Sequence, residues 1–293
     1  MKIVTLDIGG TSIKAGEVTD GVLNSFIEYD TNAKNGGKYV IKRVIDIISE
    51  YKGFDAIGIS TAGQVDSQQG IIRFANENIP EYTGMQVKKI LQERFHVPVA
   101  VENDVNSAAI GEAQFGAGTD WKDFICLTYG TGIGGAIIID KKIYSGSTFA
   151  AAEFGHIVTH AGGRACNCGL NGCYEQYAST GALVRAAEKL DPELSNGRKI
   201  FERINEQQTR KVVDEWINEI LFGLASIIHI FNPTNIVLGG GIMNESYIIE
   251  RVKSSLNRFV MPSYTNVKLC QAMLGNRAGL LGAAYLVQVK LYV

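Results

Sequence analysis

The sequence predicts an α/β protein built from two similar lobes. Three observations carry that prediction. An apolar strand, a glycine-rich turn and a returning strand occupy residues 3–18, and the same succession recurs over residues 124–140. Helical periodicity follows the strands in each half, the order expected when helices cover the faces of a sheet. No low-complexity linker interrupts the chain between the halves.

Taken in order, residues 3–8 alternate apolar side chains and end at Asp7-Ile8-Gly9-Gly10-Thr11. Residues 12–18 and 22–29 read as two further strands, so the chain opens as a meander whose first turn is rich in glycine. Residues 39–50 place Val40, Ile41, Val44, Ile45 and Ile48 at the spacing of an amphipathic helix. Short apolar strands at 56–60 and 97–101 are separated by a helix around 84–95. The second half repeats the opening, with a strand at 124–129, the turn Gly130-Thr131-Gly132-Ile133-Gly134-Gly135, and a returning strand at 136–140. Helical periodicity returns at 174–190 and more strongly at 212–231. A buried-type strand at 235–238 ends in Gly239-Gly240-Gly241, and a helix at 247–259, a strand at 267–271 and a helix at 278–289 close the chain. The expected division places 1–115 with 277–293 in a smaller lobe. Residues 116–276 then form the larger one, with an irregular insert at 153–175.

At 293 residues the chain can build a full core in each lobe. A net charge of -2 gives no electrostatic case for nucleic acid or an anionic membrane. No segment approaches the ~20 apolar residues of a membrane span, and Asp7 interrupts any hydrophobic signal region. A cytoplasmic location is expected. Cys126 and Cys270 sit among apolar residues and read as buried thiols.

The other three cysteines, Cys166, Cys168 and Cys173, cluster shortly after Gly155-His156, with Glu153 and Glu175 bracketing the group. Thiolates packed this closely in a soluble protein usually hold a metal, and one histidine completes a tetrahedral zinc set. Spacing does not separate His156 from His160 as the nitrogen ligand. The alternative is a disulfide, which requires an oxidising compartment.

Two glycine turns between strands suit phosphate, because backbone N–H groups can approach an anion where no Cβ intervenes. Neither fits the P-loop pattern or opens directly into a helix. Asp7, just before the first turn, is placed either to hold a hydrated magnesium ion or to close an Asx-type turn. Glu102-Asn103-Asp104 follows an apolar strand and opens a helix. A carboxylate there can cap the helix or act as a general base, and Asn103 offers both donor and acceptor to a polyol.

Asp-Ile-Gly-Gly-Thr, Glu-Asn-Asp, Tyr-Gly-Thr-Gly-Ile-Gly-Gly, and Glu-Phe-Gly-His followed by Cys-Asn-Cys-Gly-Leu-Asn-Gly-Cys-Tyr-Glu together resemble the ROK family of bacterial sugar kinases and repressors. The resemblance covers essentially the whole chain. It implies the two-lobed, actin-like ATPase (ribonuclease H-like) fold and transfer of phosphate from ATP to a sugar. Carried over by position, Asp7, Gly9, Gly10, Thr11 and Lys14 form the first phosphate element, and Thr128, Gly130, Thr131, Gly132 and Gly134 the second. Gly239, Gly240 and Gly241 lie against the adenosine. Asp104 is the implied base, Asn78, Asn103, Glu153, His156 and Glu175 the implied sugar contacts, and His156 binds zinc with the three cysteines. The chain departs from the family over Thr61-Ala62-Gly63-Gln64-Val65-Asp66, where Pro-Gly often stands before the Val-Asp pair, and at Ala151-Ala152, where glycine usually precedes the glutamate. The methyl group at 152 is expected to bear on which sugar fits.

The expected chemistry is therefore transfer from ATP with Mg²⁺ to a hexose or hexose derivative, at the 6-hydroxyl of a glucose-like sugar, with Asp104 ionised near its ordinary pKa of ~4. Zinc is expected to be structural, since a full Cys₃His set leaves no open position. N-acetylmannosamine, fructose and β-glucosides are alternative substrates. A homodimer is usual for the family. The rivals are a sugar-responsive regulator without a DNA-binding domain, another phosphotransferase or ATPase on the same fold, and a zinc-ribbon interaction protein. The first strand at Ile3 leaves no room for a helix-turn-helix ahead of it, and no basic stretch is present.

Overall fold

The computed structural model describes residues 1–292. The chain forms β1 (Lys2–Ile8), β2 (Ser12–Thr19), β3 (Val22–Asp30), α1 (Gly37–Glu50), β4 (Ala56–Thr61), β5 (Gln64–Asp66), β6 (Ile71–Phe74), α2 (Val87–Phe95), β7 (Val99–Asn103) and α3 (Asp104–Phe115). It continues through β8 (Phe124–Tyr129), β9 (Ile133–Ile139), β10 (Lys142–Ile143), α4 (Glu175–Ala178), α5 (Thr180–Ala187) and α6 (Gly197–Glu202). The remaining elements are α7 (Gln207–Phe231), β11 (Asn235–Gly239), α8 (Ser246–Ser255), β12 (Lys268–Gln271) and α9 (Ala278–Tyr292).

Two five-stranded sheets run in the orders β3-β2-β1-β4-β7 and β10-β9-β8-β11-β12. These are one order used twice. In the first, β1 pairs antiparallel with β2 and parallel with β4, which is itself parallel to β7. In the second, β11 lies parallel to both β8 and β12. Parallel neighbours require long crossovers, and α1, α2, α7 and α8 supply them. The repeated strand–turn–strand pattern of the sequence is thus a repeated sheet topology.

The chain divides into two compact units. One comprises Met1–Lys122, Ile137–Ala151 and the C-terminal segment from Asn276; the other comprises Asp123–Ala136 and Ala152–Gly275. This division differs from the one expected from the sequence, in that 116–122 and 137–151 group with the N-terminal residues. The cause is local. Asp140 and Lys141 turn the chain at φ 49° and 63°, and the Lys141 ammonium donates to the carbonyls of Ala113 (3.2 Å), Gly118 (3.1 Å) and Thr119. That anchors the end of the β9–β10 hairpin to the C-terminal end of α3.

In the first unit every residue of β4 is buried, as befits a parallel strand covered on both faces. Val40, Ile41, Val44, Ile47 and Ile48 of α1 pack with Leu6, Ile57, Ile59 and Val101 into one core. Ile45, read from the sequence as part of that apolar face, only borders it, and Ile47 takes its place. In the second unit α7 buries Val213, Trp216, Ile217, Ile220, Leu224, Ile227 and Ile228, the 3–4 spacing of one helix face. The hydroxyls of Tyr129 and Tyr174 meet at 2.9 Å, and Tyr174 Oη donates to the Ile220 carbonyl. This chain joins β8, the cysteine segment and α7.

Some elements differ from the sequence reading. The helix expected at 174–190 breaks at Ser179, whose extended backbone and hydroxyl cap α5 by accepting from Ala182 N–H. The strand expected at 97–101 runs instead to Asn103 and delivers Asp104 as the first residue of α3. The returning strand starts at Ile133, so Gly134 and Gly135 belong to β9 and not to the turn. The β5–β6 hairpin and α6 have too few residues to show a period. Cys126 is buried as expected, but Cys270 on the edge strand β12 is only partly so.

Candidate active site

In the first unit the carboxyl ends of β1, β4 and β7 lie in register, with Asp7 beside Ser60, Ser60 beside Glu102, and Thr61 beside Asn103. Ligands of open α/β sheets bind at this edge. Ser60 Oγ donates to Asp7 Oδ1 at 2.6 Å, and the Lys14 ammonium stands 3.6 Å from Asp7 Oδ2 and 3.4 Å from Asn276 Oδ1. The turn through Gly9, Gly10 and Thr11 closes on the backbone, Gly9 N–H donating to Ser12 O. Asp7 is therefore not spent on an Asx turn. A carboxylate oxygen at this strand end suits a hard cation such as Mg²⁺. Asn78 lies against Gly10, where an added Cβ would sit 3.5 Å from its own.

Asn103, not the carboxylate beside it, caps α3. Its Oδ1 accepts from the N–H groups of Val105 (2.9 Å) and Asn106 (3.0 Å). Its Nδ2 donates to Gly63 O (2.9 Å) and to Asp104 Oδ1 (2.8 Å). Both donors and both lone-pair directions are taken, so a sugar hydroxyl must displace one of these partners to bind. Asp104 Oδ1 also accepts from Val105 N–H. Behind it, Glu102, 2% exposed, accepts through Oε1 from Asn103 N–H and Asn106 Nδ2.

The surroundings of Asp104 differ from those that an ordinary carboxylate pKa supposes. Burial first, and then the negative charge of Asp7, raise its pKa to about 7, against the hydrogen bonds from Val105 and Asn103 that lower it. Sequence reasoning saw the carboxylate but not the second one that the sheet brings near it. It also missed Ser60, which carries no pattern of its own.

In the second unit Thr128 of β8 pairs with Gly239 of β11, so the second glycine turn and the glycine triplet share one sheet edge. Gly130 N–H donates to Gly132 O across the turn. Gly132 leaves room for Glu175, since a Cβ there would lie 2.5 Å from Glu175 Oε2, and that carboxylate, which also accepts from Ile133 N–H at 3.4 Å, would have to shift. Gly240 has φ +99° and would place a Cβ 2.2 Å from the Tyr129 carbonyl. The start of α5 joins them: Thr180 Oγ1 donates to Tyr129 O at 3.1 Å, and Gly181 packs on the Thr131 carbonyl. Thr180 and Gly181 were not found by sequence reasoning. Their signal, a Ser-Thr-Gly helix start, lies inside a segment that reads as continuous helix.

The cysteine segment folds as a short irregular ladder, with Val158 opposite Cys173 and Ala165 opposite Asn171. It brings one ligand atom each of His156, Cys166, Cys168 and Cys173 within 4.8 Å of one another. Cys166 Sγ is 3.7 Å from His156 Nδ1, and Cys168 Sγ is 3.5 Å from Cys173 Sγ. A Zn–S bond of ~2.3 Å in a tetrahedron implies sulfur separations of about 3.8 Å, so the donor set fits zinc. None of these cysteines is in a disulfide. Burial and the neighbouring thiols push Cys173 up to about 12, an arrangement that a cation reverses. His160 stands apart from the cluster, stacked on Tyr177.

Glu153, His156 and Glu175 are brought together around this cluster. His156 turns Nδ1 to Cys166 and Nε2 to Glu153 Oε2 at 4.0 Å, while Glu175 Oε1 accepts from the Cys166 thiol at 3.2 Å. Ala152, immediately before Glu153, adopts φ 64°, a left-handed conformation that glycine takes without penalty.

Repeated sheets with glycine turns at the carboxyl ends of β1 and β8 define a protein of the actin-like ATPase fold class. A profile of the ROK family matches residues 3–290, and the chain belongs to that family. It is 40% identical to an uncharacterized protein of Clostridium perfringens, over 96% of this chain and 95% of that one. It is 31% identical to a glucokinase of Thermotoga maritima, over 99% and 98% of the two chains. Among solved structures, a ROK family glucokinase from Streptomyces griseus in complex with glucose and AMPPNP matches with a TM-score of 0.87 at 33% identity, covering 99% of this chain and 100% of that one. Among the described residues, no helix is long and apolar enough to cross a membrane.

Proposed function

We propose that the chain is an ATP-dependent sugar kinase acting on a glucose-like hexose at its 6-hydroxyl, with Asp104 as general base. The observation that carries this reading is the placement of Asp104 at the carboxyl end of β7, oriented by Asn103 and shifted upward by burial and Asp7. A base whose pKa lies near the working pH accepts a hydroxyl proton most effectively. The sugar oxygen attacks the γ-phosphorus in line, its proton passes to Asp104, and the bond from the γ-phosphorus to the bridging oxygen breaks to release ADP.

In this reading Asp7, Gly9, Gly10, Thr11 and Lys14 are assigned to phosphate. Thr128, Gly130, Thr131 and Gly132 are assigned to phosphate as well, and Gly239, Gly240 and Gly241 to the adenosine. Gly134, inside β9, contributes through strand geometry. Asp7 is the residue that would hold Mg²⁺, which supplies charge neutralisation at the transferring phosphoryl group. Glu153, His156 and Glu175 are assigned to sugar hydroxyls, with Asn78 and Asn103 as further contacts. His156, Cys166, Cys168 and Cys173 would hold a zinc ion, which would serve to keep these groups in place and not to react, since the four residues would supply all the donors of a structural site.

A coupled ADP-release assay with ATP and Mg²⁺ over a panel of glucose, mannose, fructose, N-acetylmannosamine, N-acetylglucosamine and a β-glucoside tests the proposal. Stimulation by glucose above the others is the expected result. ADP release indifferent to every sugar would remove it.

A further inference from the structure

His160 makes contacts of a kind that its zinc-binding neighbours do not. Its ring stacks on Tyr177 with centroids 3.8 Å apart and planes 14° from parallel. The guanidinium of Arg164 also lies over the Tyr177 ring, 4.5 Å from its centroid. Arg164 N–H donates to Tyr177 Oη at 2.7 Å and Arg164 Nη1 to the Gln176 carbonyl at 2.8 Å. His160 Nε2 then faces Glu219 Oε2 of α7 at 3.6 Å. That oxygen is buried and has no hydrogen-bond partner. Burial raises the Glu219 carboxyl above its usual range, while the charges of His160 and Arg164 draw it back.

These contacts reach the site through α4. That helix has only four residues, Glu175–Ala178, so Tyr177 and Glu175 stand two residues apart on a single turn. Glu175 in turn touches Ile133 N–H of the second glycine turn and the Cys166 thiol. Resting on the sugar-kinase reading above, we propose that His160, Tyr177, Arg164 and Glu219 form a second anchor of the cysteine segment, independent of the metal, with His160 the positioning residue that fixes Glu175 for sugar binding.

The variants His160→Ala and Glu219→Gln, in the full-length metal-loaded chain, test this. A misplacement of a positioning group by about 1 Å costs up to ~100-fold. The expected result for His160→Ala is therefore a sugar KM raised roughly tenfold or more, with the KM for ATP and the zinc content unchanged. Glu219→Gln should shift the sugar KM in the same direction by less, since the stack on Tyr177 survives. An unchanged sugar KM in both variants, or zinc lost in parallel from His160→Ala, overturns the proposal.

A second measurement does not depend on turnover. Amide exchange over 158–178 is followed after zinc is stripped with a chelator. The anchor predicts that the wild-type segment keeps part of its protection and that His160→Ala loses it. Equal protection in both, or complete loss in the wild type, rejects the anchor. If no sugar stimulates the wild type, the kinase reading fails while this exchange experiment still decides the anchor.

Discussion

At Asp104, the base of the proposed reaction, a single carboxyl group stands at a strand end. Its neighbours divide the work: Asn103 caps the helix and orients it, Glu102 holds Asn103 from behind, and Asp7 raises its pKa by charge. Replacing it with asparagine keeps the size and removes the base, so kcat should fall about 10²–10⁴-fold while the denaturant midpoint at neutral pH is kept or raised, because the buried carboxyl disfavours folding once it ionises. Turnover near normal would assign the proton elsewhere. The pH dependence has a definite sign. With a pKa of about 7, the basic form is lost as pH falls through neutrality, so kcat/KM declines on the acid side well above the ordinary carboxylate range. Stability runs the opposite way. Between the unfolded value and about 7 the folded protein keeps a proton that the unfolded chain has released, so unfolding free energy from this group falls as pH rises. Asp104→Asn should flatten that slope, and an unchanged slope would show that the shift is not real. Ala152 is the other residue whose conformation speaks directly. At φ 64° its Cβ is disfavoured by about 1 kcal/mol, so Ala152→Gly should raise Tm by a few degrees. The same change should alter the relative KM of glucose and N-acetylmannosamine, because Glu153 follows it. A lower Tm would mean that the added chain entropy of glycine outweighs the relieved strain.

At the scale of elements, the cysteine segment shows how much a motif can and cannot say. Its residue types announced a metal, and the fold supplied the choice of histidine, because His160 is engaged with Tyr177 and Glu219 while His156 turns Nδ1 to Cys166. The ladder of this segment contains few apolar side chains, so a metal has a large share of the ordering to do. Cys168→Ser should therefore raise the sugar KM several-fold or more, with a far smaller change in the KM for ATP, and metal analysis should show zinc lost. Loss of zinc with both constants intact would mean the segment holds itself. Acidification should release the metal, since protons compete for the thiolates and the imidazole. Helices and strands were legible where they were long: α1, α7, β1 and β8 stand close to where periodicity placed them. Short elements were not, because three residues of β5 or six of α6 carry no period. The break at Ser179 escaped for a different reason. An apolar helical pattern continues across it, and only the cap hydrogen bond to Ala182 stops the helix.

Over the whole molecule, the repeated sheet order is the organising fact. It places a glycine turn after β1 and another after β8, each at the carboxyl end of a parallel run. Each unit has its own core, and each contains one of the two tryptophans, Trp121 in the first and Trp216 in the second. Trp216 is 3% exposed and donates to the Ser179 carbonyl, so its fluorescence reports the second unit. Single-tryptophan variants made with Trp121→Phe and Trp216→Phe should show urea transitions at different midpoints, a departure from two-state unfolding. Coincident transitions would mean that the units unfold as one. The sequence by itself determined the α/β class, the repeat, the glycine turns, the metal-binding residue types and the family, because periodicity, spacing and side-chain chemistry are local properties. Tertiary structure alone decided that Asp7 charges the surroundings of Asp104, that Gly132 makes room for Glu175, that α5 begins against the second turn, and that residues 137–151 belong with the N-terminal unit. Those outcomes depend on contacts between residues far apart in the chain, and a pattern read along the chain holds no distance between them.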